Sequence, residues 1–169
     1  MQSLLPAPAD AARLLQEYLD HAIPLVPQMQ VHVEELSDTG LILSAPLAPN
    51  RNHIGTVFGG SLNGIATLAC WGLVWLLLHG RNAHIVIHEG HMKFTRPATG
   101  TFSANCALPD RQILEDFVRQ YMQRGRARLA LHATVNCEGK AVAAFDGSFA
   151  AMDPSRIPAY RPPDARTSG

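Results

Sequence analysis

The densest chemistry in this sequence is the run Asn50-Arg51-Asn52-His53-Ile54-Gly55-Thr56-Val57-Phe58-Gly59-Gly60-Ser61. Glycines remove side chains where a ligand can approach the backbone. The run leads into a long apolar segment, so the N–H groups of Gly60 and Ser61 are expected free at the start of a helix. Helix N-termini stabilise negative charge, including that of a developing oxyanion. Asn52 adds a neutral donor. Asn50, His53, Thr56 and Ser61 are candidate ligand contacts. Thr67 stands seven residues after Gly60, close to two turns, which puts it on the same helix face. Asn52, the Gly60 N–H and Thr67 are therefore expected to converge on one small cavity. Plainer readings exist: a glycine pair that only turns into a helix, a solvated His53, and a Thr67 back-bonded to the carbonyl of Asn63.

Other reactive residue types are less specific. His84, His88 and His91 share an extended segment with Glu89, and ordinary strand histidines are a simpler reading than a metal site. Strict alternation sets His84 and His88 on one face and Glu89 on the other, unless Gly90 or a neighbour bulges. Trp71 and Trp75 share a helix face and read as core packing before a ligand floor. Cys70 lies in an apolar run with no cation or helix N-terminus to lower its pKa, so it reads as a packed thiol. Arg119, Arg124, Arg126 and Arg128 occupy a stretch, 117–128, without an acid. They bind a phosphate or an acidic protein, or they are a solvated face; the two readings stand level.

These residues need elements to hold them. Residues 9–21 read as an amphipathic helix with Leu14, Leu15, Tyr18 and Leu19 on one face, and Pro24 and Pro27 are expected to end helical structure. From Met29 the period changes to two, through Val31 and Val33, which predicts a strand. Residues 37–40 turn the chain into a second strand, 41–47. The apolar helix follows the loop, from about Ser61 to His79. Residues 83–96 are extended, and 97–100 turn into a strand through Phe102, Ala104, Cys106 and Leu108. Asp110 is the expected N-cap of a short helix carrying Phe117, Tyr121 and Met122, ended by Gly125. Residues 126–137 and 140–152 alternate as the last two strands. Short turns imply antiparallel pairing. A helix apolar on every side implies a sheet curled around it: an α+β fold.

The 169 residues suit one domain, 1–153 with an N-terminal helix, followed by a Pro-rich polar tail over 154–169. With 47% hydrophobic and 17% charged residues, general disorder is excluded. Fourteen Lys+Arg balance fourteen Asp+Glu, so no global charge draws nucleic acid or an anionic membrane. Three cysteines without zinc spacing, and a start without a signal pattern, point to a cytoplasmic protein with free thiols. Residues 62–78 could pass for a membrane span, but they are short, interrupted by Asn63, Gly64, Thr67 and Gly72, and not flanked by a Lys/Arg cluster. A helix enclosed by protein is the expected reading.

The loop and helix together resemble the hotdog superfamily of acyl-thioester enzymes, which carry Asn-x-x-Gly-x-x-His-Gly-Gly before a central helix. Asn52, Gly55, Gly59 and Gly60 match; Phe58 takes the histidine position. Lys93-Phe-Thr-Arg96-Pro97 resembles the end of the strand after that helix. The sequence is most similar to the YiiD C-terminal-domain group, through Ile23-Pro-Leu25, Ala45-Pro-Leu47-x-x-Asn50-x-Asn52, Gly55-Thr56-x-Phe58-Gly-Gly-Ser61-Leu62 and Ala66-Thr67-Leu-Ala-x-Trp71-Gly72. The resemblance implies a hotdog fold, an acyl-carrier-protein or CoA thioester substrate, and a homodimer or dimer of dimers with the site between subunits. The group is labelled thioesterase and includes malonyl-acyl-carrier-protein decarboxylases that start fatty-acid synthesis.

Residue chemistry separates the reactions. Hydrolytic hotdog enzymes commonly carry a carboxylate about seven residues after the second glycine, to activate or orient water. Here that position is Thr67, and no Asp or Glu occurs between Asp38 and Glu89. Decarboxylation of a malonyl thioester needs no base. It needs donors for the enolate oxygen and a poorly solvated carboxylate. The expected activity is therefore decarboxylation of malonyl-acyl-carrier-protein, with thioester hydrolysis as the alternative and a non-catalytic acyl-thioester binding module as a third reading. Arg124, Arg126 and Arg128 are the candidate carrier contacts. Glu89 is a further candidate, as a proton source or as an ordinary surface acid. No metal, nucleotide or organic cofactor is implied.

Overall fold

In the computed structural model of this chain, the described residues are 4–156. Four helices and six strands alternate: α1 (Pro8–Ala22), α2 (Leu25–Met29), β1 (His32–Ser37), β2 (Gly40–Ala45), α3 (Gly59–Leu77), β3 (His84–Phe94), β4 (Phe102–Ala107), α4 (Arg111–Arg124), β5 (Arg126–Cys137) and β6 (Lys140–Met152). Of the expected tail, Pro154–Arg156 form one 3-10 turn, and 157–169 lie outside the described residues.

The strands form one antiparallel sheet in the order β1-β2-β4-β5-β6-β3. The expected α+β architecture holds: α3 packs against β2, β3, β4, β5 and β6. By length and composition α3 could cross a membrane, but most of it is buried within the fold. It starts at Gly59, two residues earlier than expected. Its neighbours approach closely at Gly72, where an added Cβ would lie 2.9 Å from Leu15 Cδ2 and 3.1 Å from Leu41 Cδ2. Gly59, Gly60, Ser61, Asn63 and Gly64 are not buried at the start of α3, and beyond them the positions that are not buried narrow to one stripe, Thr67, Trp71 and Trp75, which continues the line of Gly60 and Asn63 at helical spacing.

The alternation in β5 buries Ala127, Leu129, Leu131, Ala133, Val135 and Cys137 beneath an outward face. In α1, Leu15 and Leu19 are buried while Tyr18 is exposed; in α4, Leu114, Phe117 and Tyr121 are buried and Met122 is exposed. Asp110 occupies the α4 N-cap but makes no side-chain cap bond.

Two expectations are corrected. The first helix does end before Pro24, at Ala22 with Ile23 extended, but helical structure resumes at once: Pro24 is the N-cap of α2, and Pro27 is its third residue. A proline in the first turn gives up an N–H that has no intrahelical acceptor. Met29 is buried from this helix, not from a strand, and β1 begins at His32, after Gln30 turns left-handed at φ 54°. The second correction concerns β3. Ile87 pairs with Phe149 and Glu89 with Ser148, so His88 is the extra residue of a bulge. After it, Glu89 and His91 continue the outward face of His84 and Val86, and Met92 and Phe94 continue the inner face of Ile85 and Ile87. Glu89 thus faces away from α3. Among the described residues, no three His, Cys, Asp or Glu side chains come together as a metal site.

Candidate active site

The loop before α3 is tied at both ends by Asn50. Its buried amide donates to the carbonyls of Met29 and Pro46, both at 2.8 Å, and its own carbonyl accepts the Phe58 N–H at 2.7 Å. Its Oδ1 is buried without a partner among the described residues. Asn50 is thus placed beneath the loop, with its donors committed to backbone.

Asn52 organises the loop tip. Its Oδ1 accepts the N–H groups of Ile54 and Thr56, each at 3.1 Å, and its Nδ2 donates to Thr56 Oγ1 at 2.8 Å. Its backbone N–H donates to the Thr56 carbonyl at 2.7 Å, and Gly55 supplies the left-handed φ of 85° that closes the turn. Arg51 and Val57 form a bridge, and the Val57 N–H reaches the Ala98 carbonyl at 2.8 Å. The loop is a small fastened hairpin, with His53 and Ile54 exposed at its tip.

At the start of α3 the N–H groups of Ser61 and Leu62 both donate to the Phe58 carbonyl, at 2.9 and 3.2 Å. The expectation of a free Ser61 N–H is therefore corrected: the tight first turn consumes it. The N–H groups of Gly59 and Gly60 have no partner among the described residues. The exposed Phe58 ring lies over Gly60, where a Cβ would meet it at 2.2 Å, and the Phe94 ring lies 3.5 Å from the Cβ position of Gly59. Two aromatic walls therefore flank two bare donors.

Thr67 is half-buried, and its hydroxyl makes no hydrogen bond among the described residues; the back-bond to Asn63 is not formed. Helix geometry sets Gly60, Asn63 and Thr67 in one line. Asn63 is exposed and its amide is unpartnered among the described residues. Sequence reasoning passed over it, although an Asn three residues after Gly60 and four before Thr67 carried the signal. Phe94 lies within the Lys93–Pro97 motif, but nothing local places its ring at Gly59, because only pairing across the sheet brings it there.

Further along the stripe, Trp71 Nε1 donates to the Ile85 carbonyl at 3.0 Å, and Tyr18 stacks on Trp71 at a centroid distance of 5.9 Å and lies tilted against Trp75 at 4.8 Å. The tryptophans thus join α3 to α1 and β3. Cys70 is fully buried; its hydrogen bond to Cys106, then burial, push its thiol far above the usual range. Arg124, Arg126 and Arg128 are brought together elsewhere, lining a cleft of about 400 Å³ with Gln120.

An antiparallel sheet curled on a buried helix, with a bare helix start beneath a fastened loop, is the hotdog architecture of acyl-thioester proteins. Within that class the chain belongs to the YiiD C-terminal-domain family, whose profile, described as "putative thioesterase (yiiD_Cterm)", matches residues 12–153. It is similar to a protein of unknown function from Chlorobaculum tepidum, with 33% identity over 89% of this chain and 98% of that one and a TM-score of 0.81. It is similar also to a "putative thioesterase" from Shewanella oneidensis, with 32% identity over 85% and 99% of the two chains and a TM-score of 0.76. A Pseudomonas aeruginosa protein described as a "probable thioesterase" shares the fold, with 24% identity over 89% and 99% and a TM-score of 0.73.

Proposed function

We propose that this protein decarboxylates malonyl-acyl-carrier-protein to acetyl-acyl-carrier-protein, an initiating step of fatty-acid synthesis. The observation that carries the reading is the neutrality of the open α3 stripe. Gly60 N–H, Asn63 and Thr67 offer donors, Asn52 stands in the loop above, and the one acid of β3, Glu89, faces outward. In the reaction the bond between the α-carbon and its carboxylate carbon breaks, and the electron pair passes into the thioester as an enolate while CO2 leaves. A proton from solvent then adds to the α-carbon. Donors at the enolate oxygen lower this barrier, whereas a fixed carboxylate beside the substrate's own would repel it. Asn50 and Thr56 act through the loop they fasten, and His53 and Ser61 border it.

Hydrolysis of an acyl thioester is the second reading. The family description favours it, and the unbonded Thr67 hydroxyl can orient a water. Mass spectrometry of products from malonyl-carrier protein, malonyl-CoA and simple acyl thioesters separates the two. Acetyl-carrier plus CO2 supports decarboxylation; free acid plus free carrier thiol supports hydrolysis and overturns it; binding without turnover leaves an acyl-thioester binding module.

The working assembly in this proposal is a homodimer, or a dimer of such dimers, in the cytoplasm. β3 is an eleven-residue edge strand with one side unpaired, and Val86, Ile87 and Phe94 on it are exposed. Such an edge is normally covered, and a second copy of β3 supplies both ladder partners and apolar contacts.

A further inference from the structure

We propose that the cleft of Arg124, Arg126 and Arg128 seats the phosphate-bearing end of the thioester's carrier. Gly125, left-handed at φ 65°, turns the chain sharply from α4 into β5, so Arg124 at a helix end and Arg126 at a strand start face one concavity. Strand alternation adds Arg128 on the same outward face. Directly across on β6 stand Met152 and Ala150, and beyond them on β3 His84 and Val86. None is an acid, so no cross-strand partner neutralises the arginines.

Among the described residues none of the three guanidiniums makes an ion pair, whereas Arg13, Arg111, Arg119 and Arg156 each do. Arg119, on the same helix, is held by Asp116 at 2.6 Å and stays outside the cleft. Asp153, which follows the end of β6, already accepts from the Ser155 N–H and hydroxyl and pairs with Arg156, and Asp146 on β6 pairs with His132. The alanines Ala127, Ala150 and Ala151 leave about 400 Å³ open, and Gln120 adds a neutral amide. Three planar forks around a small-residue floor match phosphate oxygens.

The assignment rests on the acyl-thioester reading, since the thiol arm of such carriers, free as CoA or protein-borne, ends in a phosphate. The cleft lies beside His84, the first residue of β3, and the start of α3 lies beside Phe94, the last. Ten residues of strand separate those ends by roughly 33 Å. Antiparallel joining of two β3 edges, as in the proposed dimer, would bring the cleft of one subunit level with the α3 start of the other along the strand direction, the cleft on the outer face of the sheet and α3 on the inner.

The test compares the native protein with R124Q/R126Q/R128Q, and with R126Q alone as a milder variant. CoA binding is measured by calorimetry, and turnover with malonyl-CoA, malonyl-carrier protein and malonyl-pantetheine, which lacks the phosphate. The triple variant is expected to weaken CoA binding or raise KM for a phosphate-bearing carrier at least tenfold. Its kcat, its malonyl-pantetheine kinetics and its melting temperature should stay native. An effect on CoA alone identifies a nucleotide carrier, and on the carrier protein alone a protein-borne arm. Equal weakening with malonyl-pantetheine overturns the proposal, as do native values throughout. If no thioester is turned over but CoA binding falls in the variant, the cleft stands and the decarboxylase reading falls.

Discussion

Asn52 and Thr56 hold each other three times: the Asn52 amide donates to the Thr56 hydroxyl at 2.8 Å and accepts the Thr56 N–H at 3.1 Å, and the Asn52 backbone N–H donates to the Thr56 carbonyl at 2.7 Å. An asparagine amide has two N–H donors, so one remains for a ligand while the other keeps the group still. Asn52→Ala should lower kcat by roughly a hundredfold or more, as removal of an oxyanion donor does. Thr56→Val removes the hydroxyl at constant shape and should lower kcat about tenfold with an unchanged melting temperature, because losing position costs less than losing the donor. Steady-state kinetics with thermal melting checks both. A native kcat in Asn52→Ala would leave the loop purely structural.

Thr67→Val tests the deeper end of the stripe. With its hydroxyl unbonded within the described chain, no internal hydrogen bond is lost, so stability should hold while malonyl-thioester turnover falls. A native rate would make Thr67 a packing residue and leave the position usually held by a carboxylate without a chemical role. Asn63→Ala, on the same line, should raise KM or lower kcat measurably, and a silent result would confine the site to Gly60 and the loop.

Ile87→Lys puts a charge on the inner side of the β3 edge, where Ile87 is 44% exposed. Light scattering should show loss of the dimer and assays loss of turnover, because buried like charges facing across a two-fold axis repel. A stable, active monomer in the native protein would end the shared-site account.

Gly72→Val should destabilise the fold by about 2 kcal/mol, as overpacking of a close-packed core does. The added Cβ alone meets Leu15 and Leu41 at 2.9 and 3.1 Å. Denaturant melts measure this directly, and an unchanged midpoint would mean that α1 moves aside freely.

Cys70 should resist thiol reagents in the folded protein up to mildly alkaline pH and react on unfolding. Its hydrogen bond to Cys106 and its burial both raise the thiol, so the reactive thiolate is suppressed. Rapid native labelling at Cys70, located by peptide mass mapping, would contradict the packing.

Much of this protein is legible in its sequence. The all-round apolarity of α3 implies a sheet around it, and the period-two runs of β5 and β6 mark their buried faces, because periodicity records which side of an element avoids water. The Asn-Gly loop and the Thr67 spacing are equally local. Other features depend on partners far along the chain. Pro24 and Pro27 read as breakers, yet they start α2, because only the tertiary fold buries Val26 and Met29 beneath them. β3 follows α3 and precedes β4, but pairing with β6 carries it to the far edge of the sheet. There the bulge at His88 turns Glu89 outward and leaves Phe94 at Gly59. Sequence patterns report each element's own exposure. Strand order, register and the surroundings of a bare N–H are set by long-range pairing, where one inserted residue reverses every side chain beyond it.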